Sequence, residues 1–313
     1  MPIHEADPWR EQYFTGVPCP GHVHVPTDDP LAYELHPRHR WVYNKLLIAQ
    51  SQGLVCGTNE VLPARFPVFS KPIINLRGMG VGSALVRDAR EFSERQSPDN
   101  FWTEYLTGFH VSTDWAVAGG EPVWCRHARG VPAPAGTFDY WVVEAGRREL
   151  IEHHCRKWIR AHLRGYTGML NLETIGGRII EVHLRFADQW PDLYGTHWTE
   201  AVVNLYGRHD WSFEDEDRRE GYSVALFGPH GPRYAHPSGD LLNEYRAVAG
   251  VKSVQITFFQ HLPPETHAMP PGGFRLAVIN CTRLSAGLAL RARMAREFGL
   301  ARVVPPLAGT PAC

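Results

Sequence analysis

The sequence has no long apolar run, no excess of either charge and no sign of export. No apolar stretch approaches the roughly 20 residues that a membrane-spanning helix needs. The first residues, MPIHEADPWREQYF, have neither the basic start nor the apolar segment of an export signal. Lys and Arg number 32 against 33 Asp and Glu, so charge gives no reason to expect nucleic acid or acidic membrane as a partner. We therefore predict a cytoplasmic protein with small-molecule partners.

The cysteines are scattered and do not form a recognisable metal or disulfide pattern. The six residues include no CxxC pair, which indicates reduced thiols. The sequence also has no GxxxxGK[ST] phosphate loop and no GxGxxG dinucleotide motif, so neither of these nucleotide-binding folds is expected.

Helical and extended patterns are mixed along the 313 residues, which predicts an α+β or α/β chain. The first 40 residues suggest loop and short extended pieces. Apolar spacing predicts helices over 41–52, 84–95, 146–163 and 285–299. Extended patterns predict strands over 101–106, 110–117, 139–144, 253–259 and 274–280.

A hairpin of unusual polarity is predicted at NLETIGGRIIEVHLRF, residues 171–186. Glu181, His183 and Arg185 alternate with apolar residues and therefore share one face of a strand. A two-residue turn at Gly176 and Gly177 would place Glu173 on the other face, whereas a three-residue loop that includes Arg178 would set Glu173 opposite Glu181. In the second case, two carboxylates about 5 Å apart would favour a divalent cation between them. An ordinary surface hairpin is the alternative.

A lysine within an apolar segment precedes a glycine-rich loop in FPVFSKPIINLRGMGVGSALV, residues 66–86. Lys71 interrupts an apolar strand and is costly to bury without an anionic partner. Glycines allow backbone N–H groups to approach an anion closely, so phosphate is the expected ligand. The alternative is a surface hairpin with an incidental lysine.

The order of these segments resembles the ATP-grasp superfamily of carboxylate-amine and carboxylate-thiol ligases. The resemblance covers residues 41–186 and is carried by YNKLLIAQSQGL, FPVFSKPI, LRGMGVGS, WTEYLTG, HVSTDWAVAGGEPV and NLETIGGRIIEVHLR. It implies two α+β subdomains that clasp ATP. By the same resemblance, 1–40 is an N-terminal extension, 41–100 the small subdomain with a glycine-rich flap, and 101–313 the large subdomain with a C-terminal α/β region. Because 44 residues precede Lys45, we expect the family's full N-terminal domain to be missing.

The resemblance also implies a role for particular residues. It assigns Arg185 and Lys71 to catalysis, and Glu173, Glu181 and His183 to metal binding. His183 departs from the family pattern, which has Asn at this place; imidazole is a poorer ligand for Mg²⁺ than oxygen. The residues that it assigns to ATP are Lys45, Lys71, Gly78, Gly80, Gly82, Ser83, Glu104, Tyr105, Leu106 and His110.

The activity that the resemblance implies is ATP- and Mg²⁺-dependent ligation, with Mn²⁺ as a substitute metal. A carboxylate would be activated as an acylphosphate and attacked by an amine or thiol, so the partners are small-molecule acids and amines, and a homodimer stays open. Two alternatives are a small-molecule kinase on the same fold and a non-catalytic nucleotide-binding protein.

Overall fold

Two antiparallel sheets organise the chain, as seen in a computed structural model that describes residues 2–3, 8–76, 78, 80–133, 137–267 and 273–300. Arg77 and Met79 of the predicted flap, and residues 301–313 of the predicted large subdomain, lie outside the described residues. Strands and helices are mixed, which confirms the α+β prediction. No helix in the described ranges has the length and apolar character to cross a membrane.

Twelve strands and eight helices make up this part of the chain. The strands are β1 (Cys56–Thr58), β2 (Val68–Pro72), β3 (Ala84–Val86), β4 (Asn100–Glu104), β5 (His110–Ala118), β6 (Glu121–Pro132), β7 (Phe138–Val143), β8 (Gly168–Ile175), β9 (Arg178–His183), β10 (Gly221–Gly228), β11 (Val251–Ile256) and β12 (Phe274–Cys281). The helices are α1 (Pro8–Glu11), α2 (Asp29–Leu35), α3 (Lys45–Ser51), α4 (Ala89–Glu94), α5 (Glu149–His162), α6 (Trp198–Arg208), α7 (Gly239–Arg246) and α8 (Leu284–Glu297).

The small sheet has the order β1-β4-β2-β3, and its β2–β3 hairpin carries the predicted glycine-rich flap. Val68 pairs with Val86 and Ser70 with Ala84, so residues 73–83 form the connection between the two strands. The predicted helix over 84–95 is therefore wrong at its start. Its first residues form β3, and the helix begins only after Asp88, whose side chain caps it by accepting from the backbone N–H of Glu91 at 2.8 Å.

The N-terminal region also differs from the prediction, because it contains α1 and α2 where loop and extended pieces were expected. The predicted helix over 41–52 is divided at Asn44. A short 3₁₀ turn covers Arg40–Tyr43, and α3 starts at Lys45 with Asn44 as its N-cap, accepting from the Leu47 N–H at 3.0 Å.

The large sheet has the order β11-β12-β10-β7-β6-β5-β8-β9, and its two faces have different roles. One face packs against α3 and α5 through a core that includes Trp115, Trp158 and Leu172. The opposite face packs against α6 and the segment 186–194 through a second core that includes Ala116, Met169 and Trp198. Helices α7 and α8 cover the far end of the sheet, at β10–β12.

Two neighbouring strands run from the second core into a polar region. On β8, Met169 is in the core, Asn171 is buried among polar groups, and Glu173 is 26% exposed. Because side chains alternate along a strand, these three residues lie on the same face. On β5 the same face carries Ala116, then the buried polar residues Asp114 and Ser112, and finally His110. The strands are thus anchored at one end and present polar groups at the other.

The β8–β9 hairpin reaches its register by a route that the sequence did not predict. Its turn has two residues, Gly176 and Gly177, both with positive φ, and Ile175 pairs with Arg178. With this turn and regular alternation of side chains, Glu173 and Glu181 would lie on opposite faces of the hairpin. However, Thr174 pairs with Ile179 while Glu173 pairs with Glu181, so Ile180 is one extra residue in β9, a β-bulge. Of the two turns left open by the sequence, the chain has the two-residue one, and the bulge places Glu173 and Glu181 opposite each other as the three-residue loop would have done.

The outer edge of β9 is occupied by a glutamine from α3's C-terminal end. The Gln52 side-chain amide donates to the Ile179 carbonyl at 2.5 Å, and its oxygen accepts from the Ile179 N–H at 3.0 Å. One side chain therefore satisfies both backbone groups of this edge residue.

The turn gives a test of how tightly the hairpin is packed. A Cβ added at Gly176 would lie 2.4 Å from the Thr107 carbonyl oxygen, whereas one at Gly177 meets no atom within 4 Å. Both positions have positive φ, which costs an L-residue about 1–2 kcal/mol. We expect Gly177→Ala to lower the free energy of unfolding by about that amount and Gly176→Ala by about 2 kcal/mol more because of the clash. Equal losses in urea denaturation would show that the Thr107 contact is unimportant.

Candidate active site

The centre of the candidate site is the pair of carboxylates on the β8–β9 hairpin. His110 Nε2 lies 2.8 Å from Glu173 Oε2, and Lys45 Nζ lies 2.6 Å from Glu181 Oε1. The His110 ring is held by edge contacts with Phe138 and Trp141 of β7, which lies two strands away from β5 in the sheet. Each carboxylate therefore has a cationic or hydrogen-bonding neighbour from a different element.

Lys45 reaches this pair because of how α3 begins. The Asn44 cap fixes the start of the helix, and the backbone N–H of Lys45 donates to the Ile73 carbonyl at 2.8 Å. The Lys45 side chain is 6% exposed and ends on Glu181. Asn44 thus serves as the helix cap that precedes this lysine.

Lys71 joins the small sheet to the hairpin. Its side chain is 5% exposed, and Nζ donates to the backbone carbonyl of Ile180 at 2.8 Å. This carbonyl belongs to the bulged residue, so the bulge also provides the acceptor for Lys71. Burial lowers the pKa of Lys71 to about 8, although the Glu181 charge opposes that shift.

Both carboxylates are held in the ionised form. Burial raises the pKa of Glu173, but the hydrogen bond and charge of His110 outweigh it and leave the net pKa below the usual value. Burial acts in the same direction on Glu181, and Lys45 and His183 reverse it to leave a pKa well below the usual value. Two ionised carboxylates that face each other are a suitable oxygen donor set for a divalent cation.

His183 follows the bulge and contacts the same pair. Its Nε2 lies 3.5 Å from Glu181 Oε2 and 3.9 Å from Glu173 Oε1, while Nδ1 lies 3.0 Å from Asp29 Oδ1. Burial lowers the pKa of His183, but the charge of Asp29 outweighs it and raises the pKa to about 9. Only Nε2 is therefore oriented toward the two glutamates.

Asp29 is the residue near the site that sequence reasoning missed. It is 3% exposed and accepts from Arg185 Nη2 at 2.9 Å as well as from His183. The sequence contains a hint of its environment, because Asp28 followed by Pro30 is typical of a helix start. That pattern predicts α2 but gives no indication of a partner on β9.

Arg185 completes the polar face that was predicted for this strand. Its Nη1 donates to the Phe186 carbonyl at 3.0 Å, and Nη2 is held by Asp29. Its Nε is buried and has no hydrogen-bond partner among the described residues. Nε is therefore the guanidinium nitrogen of Arg185 that lacks a partner in the described part of the chain.

Of the residues assigned to ATP from the connecting segment 104–110, His110 lies in this cluster and Glu104, Tyr105 and Leu106 lie outside it. Glu104 is used structurally, because its Oε1 accepts from the Val55 N–H at 3.0 Å. Tyr105 and Leu106 connect β4 to β5; Tyr105 is 45% exposed, and Leu106 packs on a small apolar cluster with Phe101.

The predicted flap residues contact neighbours within the small sheet. Gly78, Gly80 and Gly82 all have positive φ, and the Ser83 N–H donates to the Gly80 carbonyl at 3.1 Å. The loop thus has the backbone conformation for which glycine is suited.

Comparison with solved structures shows the fold. The chain is similar to L-amino acid ligase from Bacillus licheniformis, with 17% identity and a TM-score of 0.56 over 82% of this chain and 71% of that chain. It is similar to phosphoribosylamine–glycine ligase from Thermotoga maritima, with 15% identity and a TM-score of 0.56 over 92% and 84% of the two chains. A third is the biotin carboxylase domain of Hydrogenobacter thermophilus 2-oxoglutarate carboxylase in complex with MgADP, ADP and bicarbonate. It has 12% identity and a TM-score of 0.51 over 82% and 64%.

The chain has the ATP-grasp fold. This confirms the fold expected from the order of the sequence segments. No protein-family model matches the sequence. No curated protein matches it either.

Within this ATP-grasp fold, a buried polar network lies directly behind the candidate site. Asp114 Oδ1 accepts from Asn171 Nδ2 at 2.6 Å and from the Ala187 N–H at 2.9 Å, and Oδ2 accepts from the Tyr194 hydroxyl at 2.7 Å. The network ties β5 and β8 to the segment that follows Arg185.

A second cluster of metal-ligand types is already neutralised by arginine. Candidate ligand atoms of Cys125, His127 and Glu152 lie within 4.8 Å of one another. Glu152 accepts from Arg147 at 2.5 Å and pairs with Arg156 at 3.6 Å, and burial raises the pKa of Cys125 to about 12. A neutral thiol and a carboxylate paired with two guanidiniums are poor metal ligands, so we assign this cluster to stability.

Asp114 gives a pH-dependent prediction for the network. Burial raises its pKa from the ordinary 3.8 to about 6, so the folded chain binds this proton more tightly than the unfolded chain does. Its contribution to stability is therefore fully present below about pH 4 and is lost as pH rises through about 6. We expect the free energy of unfolding of wild type to fall relative to that of Asp114→Asn over this range in urea denaturation. Parallel pH profiles would contradict the prediction.

Proposed function

We propose that the protein is an ATP- and Mg²⁺-dependent ligase that activates a carboxylate as an acylphosphate, which an amine, or less often a thiol, then attacks. The observation that carries the proposal is that Glu173 and Glu181 face each other on a hairpin of an ATP-grasp fold. Lys45 contacts the Glu181 carboxylate, and Lys71 donates to the backbone carbonyl of the bulged residue Ile180. The three solved structures to which the chain is similar are named as ligases or as a carboxylase.

The lysines would neutralise phosphate charge. Lys45 and Lys71 come from different elements, α3 and β2, and their side chains are both buried. Phosphoryl transfer depends mainly on positioning and on stabilising charge, so fixed cations of this kind suit it. Lys45 already contacts Glu181, and a nucleotide phosphate would take over part of that interaction.

Glu173 and Glu181 would hold the metal, with His183 Nε2 as an adjacent group. Their oxygens fit Mg²⁺ and Mn²⁺, whereas His183, whose pKa is raised to about 9, carries a proton on Nε2 near neutral pH and would have to lose it to act as a ligand. When bound, the ion would supply charge neutralisation for the triphosphate. The two carboxylates are ionised before any metal arrives, so no proton has to be removed from them.

Arg185 would bind an oxygen of the transferring phosphoryl group or of the substrate carboxylate. Its buried Nε has no partner among the described residues, and its other nitrogens are fixed by Asp29 and Phe186. A fixed guanidinium presents its donor in one direction, which favours recognition of an oxyanion.

The nucleotide's remaining contacts would follow the arrangement that the sequence resemblance implies. The backbone of Tyr105 and Leu106 would face the adenine, with Glu104 and His110 nearby. The flap residues Gly78, Gly80, Gly82 and Ser83 would cover the phosphates.

A ligase of this kind needs no nucleophile from the protein. The described chain agrees with this, because burial raises the pKa of the Cys125 thiol to about 12 and that of Cys281 to about 11. The attacking group would come from the amine substrate, and proton transfer would be left to substrate, solvent or nearby side chains.

Calorimetry of ATP binding tests the site. We expect wild type to bind ATP more tightly with Mg²⁺ than without it, and we expect this gain to disappear in the double variant Glu173→Gln with Glu181→Gln. The control is Glu121→Gln with Glu214→Gln, which removes two exposed carboxylates away from the hairpin and should leave the gain intact. Metal-independent binding in wild type would favour a non-catalytic nucleotide-binding protein, and absence of binding would reject the nucleotide site.

Product analysis then tests the reaction. Wild type is incubated with ATP, Mg²⁺ and mixtures of acids and amines, and ADP and phosphate are measured. An amide or thioester product supports the ligase, whereas a stable phosphorylated product without phosphate release would identify a kinase. ADP and phosphate that never exceed background would contradict both activities.

A further inference from the structure

The first turn of α2 delivers one carboxylate into the candidate site. Asp28 caps the helix by accepting from the Leu31 N–H at 2.8 Å, and Asp29 is the first helical residue. The two adjacent aspartates thus have different tasks. Asp28 stabilises the helix end, and Asp29 points toward β9.

Asp29 is too buried to act on a ligand directly. Its side chain is 3% exposed and accepts from three side chains: His183 through Nδ1 at 3.0 Å, Arg185 through Nη2 at 2.9 Å, and the Tyr43 hydroxyl at 3.2 Å. The Tyr43 hydroxyl in turn accepts from the backbone N–H of Leu184 at 3.2 Å. The carboxylate therefore holds the strand at three consecutive residues, 183 to 185.

Asp29 binds one nitrogen of His183 and one of Arg185, and these contacts fix the direction of a second nitrogen on each side chain. With Nδ1 of His183 on Asp29, the ring directs Nε2 toward Glu181 and Glu173. With Nη2 of Arg185 on Asp29, the unpartnered Nε of Arg185 is fixed. Arg185 Nη2 and His183 Nδ1 are 3.5 Å apart, so two adjacent cationic groups depend on one anion to stay together.

We propose that Asp29 is a positioning residue of the candidate site, which sets the ring orientation of His183 and the guanidinium orientation of Arg185. The proposal rests on the function proposed above. It also makes the N-terminal segment part of the site, because α2 supplies a group that β9 cannot supply for itself.

The experiment compares Asp29→Asn with its neighbour Asp28→Ala. Asp29→Asn keeps the shape but removes the charge and one acceptor. We expect Mg²⁺-dependent ATP affinity, or kcat once a substrate is known, to fall by about tenfold to a hundredfold, as is usual when a group that orients a metal-site residue is lost. Asp28→Ala removes the helix cap, so we expect a lower urea midpoint with unchanged affinity.

A spectroscopic measurement separates positioning from folding. The ¹⁵N shifts of the His183 ring, assigned by the loss of its signals in His183→Asn, should report a protonated Nδ1 in wild type. They should change in Asp29→Asn but not in Asp28→Ala. If both variants lose affinity in proportion to their loss of stability and the ring shifts stay the same, Asp29 is only structural and the proposal is overturned.

The failure of the proposed function would look different. If wild type does not bind ATP at all, the nucleotide site is rejected. The ring shifts still test whether Asp29 orients His183 in the free protein. If wild type binds Mg²⁺ and ATP and Asp29→Asn binds equally well with wild-type kcat, the proposed function stands and the role of Asp29 is rejected.

Discussion

Mutual repulsion between two carboxylates on adjacent strands is the constraint around which this end of the molecule is built. Glu173 and Glu181 face each other at a distance where like charges destabilise a sheet. The side chains that offset this repulsion contact the two carboxylates or the bulge beside them. They come from four separate elements, far apart in the chain: Lys45, Lys71, His110 and His183. Removing Glu181 would leave the buried Lys45 ammonium without its carboxylate partner, so these two charges depend on each other.

The anchoring of β5 and β8 makes this arrangement rigid. Each strand begins or ends in the core under α6 and passes through the buried network of Asp114 and Asn171 before it reaches the site. A polar network that is fully hydrogen-bonded fixes the positions of its members better than apolar packing alone, because it demands particular directions. The pairs Asp114–Asn171 and Ala116–Met169, farther along the same two strands, therefore resist small displacements of His110 and Glu173.

Residues 41–186 could be interpreted from sequence because the chemistry is concentrated in short segments in a fixed order. Alternation placed Glu181, His183 and Arg185 on one face, and the lysine in an apolar strand required an anion. The bulge could not be predicted, since one residue of register is decided by contacts such as that of Lys71 with the Ile180 carbonyl. Helix 84–95 was wrong at its start because pairing with β2 outweighs the local helical pattern of residues 84–86.

Asp29 shows a different limit. It lies 154 residues from His183 in the sequence, and a segment with weak periodicity gave no sign that it would fold against β9. Tertiary partners of this kind are not encoded in any short window. The helix start at Asp28 is local and could be predicted, whereas the direction in which the next carboxylate points depends on how α2 docks.

The side chain of Gln52 affects whether another chain can pair with the edge of the large sheet. An edge strand with unpaired backbone groups is a template to which another chain can add, and β9 is the outermost strand of the large sheet. Gln52 occupies both hydrogen-bonding groups of Ile179, and the bulge at Ile180 interrupts the regular spacing beside it. Another chain could therefore pair with β9 at Ile179 only by displacing Gln52, so one side chain hinders sheet extension on the strand that carries Glu181.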